Sequence, residues 1–296
     1  MSYHVIDARS HEIGDGFIVG RVLPHRTRRM VGPFIFLDHM GPLDMEAPIP
    51  RNRDVRPHPH IGLSTVTYLF DGQMTHRDSL GCEQVIVPGA LNWMTAGGGI
   101  THSERFDGMR EHGGHIEGVQ AWVALPENVE TGAAAFDHYD ANTLPHFQED
   151  GIEGRVIAGD AYGLSSPART FSPLFYVHAD MQEGARLAFP EGHAERAVFV
   201  ADGEIEVSGQ RHHGNQLLVF APGDAPTLRA TRATRVMLLG GEPLGPRYIW
   251  WNFVSSRREQ IEQAAEDWRA GRMPLPPMDD AESIPLPDTP LPPIRK

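Results

Sequence analysis

Two short patterns hold the side chains best suited to chemistry. Arg56-Pro-His-Pro-His-Ile-Gly62 places His58 and His60 two residues apart, and further along Thr101-His-Ser-Glu104 places His102 and Glu104 two apart. On a strand that spacing turns both side chains to one face. Pro57 and Pro59 bias their neighbours toward extended backbone and stiffen the segment. Two such strands meeting inside a barrel would present three imidazoles and one carboxylate to a point. That donor set suits Fe(II), Mn, Co, Ni, Cu or Zn. Gly97, Gly98 and Gly99 would let backbone approach a pocket closely. A lone His-x-His pair is common on surface strands, so the weight rests on two patterns in one strand-rich half.

The elements that must position these residues are short and β-rich. From Ile13 to about Tyr248, runs such as GFIVGRVL, PFIFLDHM, STVTYLF, EQVIV, VQAWVAL, LFYVHADM, RAVFVA, LLVF and RVMLLG alternate with Gly, Pro and Asp. Val, Ile, Phe, Tyr and Thr suit half-buried pleated surfaces, and the closely spaced turn signals suggest sandwiches or barrels. One helix is expected: Ser256 and Glu259 form a capping box, and Ile261, Ala264, Ala265 and Trp268 form one apolar stripe. Gly271 and Pro274 then end it. The Pro-rich stretch Met273–Lys296 reads as extended chain, either loosely attached or a strap whose leucines dock on a neighbouring surface.

An internal repeat is visible. HPHIGLSTVTYLFDGQM from His58 aligns with FPEGHAERAVFVADGEI from Phe189, and VIVPG ending at Gly89 aligns with LVFAPG ending at Gly223. A duplicated β-barrel follows. Phe189 and Glu191 fall opposite His58 and His60, and Val236 and Leu238 opposite His102 and Glu104. The second barrel would keep the scaffold without the ligands, leaving one metal per chain.

Composition narrows the function. With 296 residues, Lys+Arg 26 against Asp+Glu 39 gives a net charge of −13. That argues against nucleic-acid backbones and anionic membrane surfaces as partners. One cysteine, Cys82, excludes an intrachain disulfide and a thiolate cluster. No signal peptide or long apolar run is readable, so a cytoplasmic protein is expected.

The stretch His58–Glu104, with VGPFIFLDHMGP before it and EGVQAWVALP after it, resembles the pirin family of the cupin superfamily. The specific match runs from about Arg21 to Pro126, and the second half matches more loosely. The resemblance implies an all-β bicupin with a C-terminal α-helix and a Pro-rich tail. Residues 1–130 would form the metal-binding barrel, 131–248 a barrel without ligands, and 249–296 the helix and tail. It implies one divalent transition metal, Fe(II), held by His58, His60, His102 and Glu104. Some pirins open flavonols such as quercetin with O₂, so a small aromatic substrate and O₂ are implied, with Glu104 as the base. A mammalian pirin is an iron-redox-sensing transcription coregulator, so a non-enzymatic module with a protein partner is the alternative. General cupins carry a glutamate ligand about four residues after His-x-His. This chain has Ser64 there, read as lining the site or supporting it. His76 is a pocket or supporting group, or else a satisfied strand histidine. Gln120 could hydrogen-bond a ligand imidazole or substrate, or simply pack.

Overall fold

The runs rich in Val, Ile, Phe and Thr do fold as strands in the computed structural model, which describes residues 2–13 and 16–291. They are β1 (Tyr3–Asp7), β2 (Arg9–Ile13), β3 (Phe17–Leu23), β4 (Phe34–Met45), β5 (Val55–His60), β6 (Leu63–Asp71), β7 (Met74–Asp78) and β8 (Glu83–Ile86). Next come β9 (Leu91–Thr95), β10 (Ile100–Arg105), β11 (Gly114–Ala124), β12 (Ala135–Tyr139), β13 (His146–Glu149), β14 (Ile152–Ala161), β15 (Leu164–Ser165) and β16 (Leu174–Met181). The rest are β17 (Arg186–Ala188), β18 (Glu195–Asp202), β19 (Glu204–Val207), β20 (Gln210–His213), β21 (Gln216–Phe220), β22 (Thr227–Ala230), β23 (Thr234–Gly241), β24 (Tyr248–Trp250) and β25 (Phe253–Ser255). Helix α1 (Arg258–Arg269) follows.

Two compact units result, and neither is one continuous stretch. One contains residues 1–11, 20–39 and 139–244; the other contains 12–19, 40–138 and 245–296. The sequence suggested contiguous divisions, but β1 pairs antiparallel with β21, which draws the N-terminus into the first of these units. The apolar core of that unit includes Val177, Val198, Val200, Leu218, Phe220, Val236 and Leu238. The core of the other is built from Phe17, Met40, Leu69, Met74, Ile86, Phe106 and Ile116 among others.

The strand orders show the duplication directly. One pair of sheets runs β12-β9-β6-β11-β4-β3-β2 and β5-β10-β7-β8; the other runs β1-β21-β18-β23-β16-β14-β13 and β17-β22-β19-β20. Thus β5 to β11 correspond in order to β17 to β23. The linear alignment needs one correction. The counterpart of β10 is β22, not β23, so Val236 and Leu238 are not the positions equivalent to His102 and Glu104. The chain from β18 to β22 is shorter than that from β6 to β10, which slid the alignment by one strand. Phe189 lies just beyond β17, the counterpart of β5. Neither β17 (Arg-Leu-Ala) nor β22 (Thr-Leu-Arg-Ala) carries an imidazole or a carboxylate.

The prolines of the His-x-His segment are tolerated because β5 is an edge strand, paired to β10 alone in its sheet. The Pro57 carbonyl accepts from the Ile284 amide, so Pro57 and Pro59 turn their polar edge away from β10 and remove no ladder bond. Helix α1 buries Ile261, Ala264 and Ala265, as the stripe predicts, and Gly271 takes φ +67° just past its end. The capping box does not form. Arg257 is the N-cap, without a side-chain bond, because Ser256 Oγ donates instead to the buried Glu130 carboxylate at 2.6 Å. The described part of the tail is tied down. Trp268 Nε1 donates to the Ile284 carbonyl, Trp250 Nε1 to that of Thr289, and Leu286 and Leu291 pack on the helix cluster. Its last five residues, 292–296, lie outside the described residues.

Gly62 joins β5 to β6 at φ +69°, and a Cβ there would strike the Val254 carbonyl. Gly62→Ala should therefore lower stability by at least about 2 kcal/mol, since left-handed strain and a backbone clash add. Chemical denaturation of the two proteins checks this; equal midpoints would contradict it.

Candidate metal centre

The antiparallel register of β5 on β10 sets the site. His102 lies directly opposite His58, and Ile100 opposite His60. Alternation then turns His58, His60 and His102 to the same side. Their ring centroids are 4.4 Å (His58–His102), 5.0 Å (His58–His60) and 5.0 Å (His60–His102) apart. One nitrogen of each ring lies within 4.8 Å of the others, so the cluster could hold a metal ion. All three are buried.

Hydrogen bonding settles which nitrogen each ring offers. His58 Nδ1 meets the Arg56 carbonyl at 2.8 Å and His60 Nδ1 the Asn252 carbonyl at 3.1 Å. A carbonyl only accepts, so both rings carry their hydrogen on Nδ1 and leave Nε2 bare. His102 Nε2 is buried with no hydrogen-bond partner. A buried polar atom without a partner is costly unless something absent from the protein alone satisfies it. The donor set and the orphaned nitrogen fit a transition metal. Electrostatics agree: burial lowers the His58 pKa to about 4 and holds His60 and His102 well below the usual imidazole range. The rings are neutral at pH 7, as ligands must be.

Glu104 sits one alternation beyond His102, but it is not one of the three groups that converge. A register shift between His102 and Glu104 breaks the simple alternation of β10 against β5, bringing Val55 rather than Arg56 opposite Glu104. Its Oε1 accepts from Gln120 Nε2 at 3.2 Å, while Gln120 Oε1 accepts from Thr67 at 2.6 Å. Burial raises the Glu104 pKa to about 7. Gln120 therefore orients the carboxylate rather than an imidazole. Ser64 is fully buried, but its hydroxyl pairs with Thr95 at 3.2 Å and bonds no ring of the cluster.

His76 does join the site, with its Nδ1 3.3 Å from His102 Nδ1 and its Nε2 3.0 Å from Asp78 Oδ2. Sequence reasoning missed Asp78, although Thr-His-Arg-Asp alternation places it on the face of His76. It also missed Phe136, stacked on His76 at 4.3 Å and 15°. The Asn252 carbonyl, far away in sequence, left no signal. Trp122 stands edge-on to His60 at 5.1 Å. An open cavity of about 540 Å³ lies against Ile61, Ile100, Thr101 and Met273, and none of the three histidines or Glu104 lines it.

The fold and this cluster define a cupin-type, double-barrelled protein with a candidate metal site in one barrel. The particular family follows from the matches. Residues 16–123 match the Pirin model, and 176–274 match the Pirin C-terminal cupin domain. A pirin-like protein of Caulobacter vibrioides is 54% identical over 96% of this chain and 99% of its own. The chain belongs to the pirin family. A Pseudomonas aeruginosa protein provisionally named a quercetin 2,3-dioxygenase is 38% identical, over 97% of this chain and 90% of its own. A crystal structure of quercetin 2,3-dioxygenase from Acinetobacter baumannii superposes with a TM-score of 0.89 at 33% identity, covering 97% of this chain and 96% of that one. Among the described residues, no helix is long and apolar enough to cross a membrane.

The raised pKa of Glu104 has a sign that can be measured in metal-stripped protein. Its folded pKa of about 7 exceeds the reference value of 4.5. The stability it confers is complete below 4.5 and is lost as pH rises through 7. Relative to Glu104→Gln, the wild type should lose up to about 3 kcal/mol between those limits. Denaturant titrations at several pH values check this; a pH-independent difference would contradict it.

Proposed function

We propose that this chain is a metal-dependent dioxygenase acting on flavonol-like aromatic substrates such as quercetin. His58, His60, His102 and Glu104 hold one divalent metal, Fe(II). The observation that carries the reading is the convergence of three buried, neutral imidazoles, two with Nε2 freed by a backbone carbonyl and one with Nε2 orphaned. The names of the similar Pseudomonas and Acinetobacter proteins support the substrate class. Four protein ligands leave two positions open on an octahedral ion. A bound Fe(II) would supply Lewis acidity toward a substrate oxygen and the redox capacity that O₂ chemistry needs.

The residues of the chain do the rest. Gln120 holds Glu104 Oε1. Oε2 is then the atom left to serve as ligand and, where it loosens from the ion, to receive the proton of an enolic hydroxyl. In the metal-free protein burial raises the proton affinity of this carboxyl, and a carboxylate within reach of a substrate hydroxyl is a competent general base. Met94, Ala96 and Ile100 form an apolar cluster on which Phe136 packs, and Phe136 also covers His76. This cover keeps water from that side of the imidazoles.

Glu104→Gln should weaken metal binding modestly, because an amide oxygen is a neutral and poorer ligand. Turnover per bound metal should fall roughly 10²–10⁴-fold, because an amide cannot take the proton. Metal analysis with oxygen uptake on quercetin checks both. Unchanged turnover per metal would place the base elsewhere, and no uptake by the iron-loaded wild type on any flavonol or catechol would overturn the enzyme reading.

A further inference from the structure

The three imidazoles are not anchored alike. His58 and His60 give their Nδ1 hydrogens to main-chain carbonyls, of Arg56 and Asn252. No side-chain substitution removes those acceptors. His102 is anchored by a side chain, His76, which is anchored by another, Asp78. Accepting the metal reading above, we infer that Asp78 and His76 are positioning residues that set the tautomer of His102 and so decide whether its Nε2 can serve as a ligand.

The donors and acceptors order themselves from the far end. A carboxylate only accepts, so His76 Nε2 carries the hydrogen that points to Asp78 Oδ2. With Nε2 donating to Asp78, Nδ1 is the atom His76 turns to His102 at 3.3 Å, and it accepts from His102 Nδ1–H. That leaves His102 Nε2 bare and facing no protein partner. The reverse order would put a hydrogen on His102 Nε2, where no protein acceptor lies, at the cost of an unsatisfied buried donor. Asp78 is itself held rigidly. It is fully buried, and its Oδ1 accepts the amides of Leu80 at 2.9 Å and Cys82 at 3.2 Å. Phe136, stacked flat on His76, fixes the ring plane. The β7–β10 register supplies the spacing, with Asp78 opposite His102 and His76 opposite Glu104.

Asp78→Asn tests the chain with almost no change of shape. The Asn oxygen keeps the Leu80 and Cys82 amides, so its NH₂ takes the place of Oδ2 and donates to His76. His76 must then carry its hydrogen on Nδ1, which turns His102 to the Nε2–H form. Imidazole ¹⁵N–¹H correlation spectra of metal-free full-length protein at neutral pH read this directly. In the wild type His102 should be protonated on Nδ1, and in Asp78→Asn on Nε2. The same tautomer in both proteins would overturn the inference.

Cobalt(II) titration of the same samples gives the consequence. Affinity should fall 10–100-fold in Asp78→Asn, the range for loss of a group that orients a metal-bound histidine. His76→Asn, whose side-chain oxygen can stand near the lost Nδ1, should retain more affinity than His76→Leu. Adding Asp78→Asn to His76→Leu should cost nothing further, because Asp78 acts only through His76. Additive losses would overturn the relay. A wild type with the expected tautomer that takes up no cobalt would instead overturn the metal reading and leave the tautomer order standing.

Discussion

Three imidazole nitrogens with bare lone pairs, buried together away from water, are the constraint around which the barrel with the candidate metal site is arranged. An unsatisfied buried polar atom costs about 1–3 kcal/mol, and no protein group answers the orphaned nitrogen of His102. The surrounding structure must hold the rings in place regardless. It does so by occupying every Nδ1. The opposite face of β10 is pinned as well: Arg105 and Ser103 both donate to Asp279 of the tail, at 2.7 and 2.6 Å. The tail also caps the outward edge of β5 through Ile284. Both histidine-bearing strands are therefore braced from outside by the same Pro-rich segment.

The duplicated barrel shows what the scaffold does without that constraint. Its strands β17 and β22 stand where β5 and β10 stand, yet Leu187, Leu228 and Ala230 join a continuous apolar core that also includes Phe189. Apolar filling needs no partner for each atom. Polar filling needs a partner for nearly all of them, and this explains the chain Thr67–Gln120–Glu104 on one side of the cluster and Asp78–His76–His102 on the other. One architecture thus supports two interiors with opposite rules.

Much of this was legible from residue order. Period-two alternation in β5 and β10 brings His58, His60 and His102 together, and the same alternation with strong β-formers gives the strands their places. Pairing across strands was less legible. The repeat aligned β10 with β23 rather than β22, because similarity of apolar runs carries no information about which sheet a strand joins. Ser256 looked like a helix cap, yet a buried glutamate distant in sequence, Glu130, claimed its hydroxyl. Glu104 reads as a fourth convergent donor from spacing alone, whereas its Oε1 is held by Gln120 and only the three imidazoles already converge. The last two discrepancies arise where a long-range polar contact overrides a local pattern.

The mixture of anchors around the cluster bears on how sites of this kind can vary. A ring held by a backbone carbonyl keeps its tautomer whatever side chains surround it, so His58 and His60 form a fixed base. His102 and Glu104, on the single strand β10, are held through side chains alone: His76 with Asp78 in one case, Gln120 with Thr67 in the other. Substitution at those four supporting positions changes how two of the groups are presented without touching either group or the strand order. The candidate metal site therefore has a rigid half on β5 and an adjustable half on β10. Differences in chemistry between proteins sharing this scaffold are most economically sought in the residues that stand behind β10.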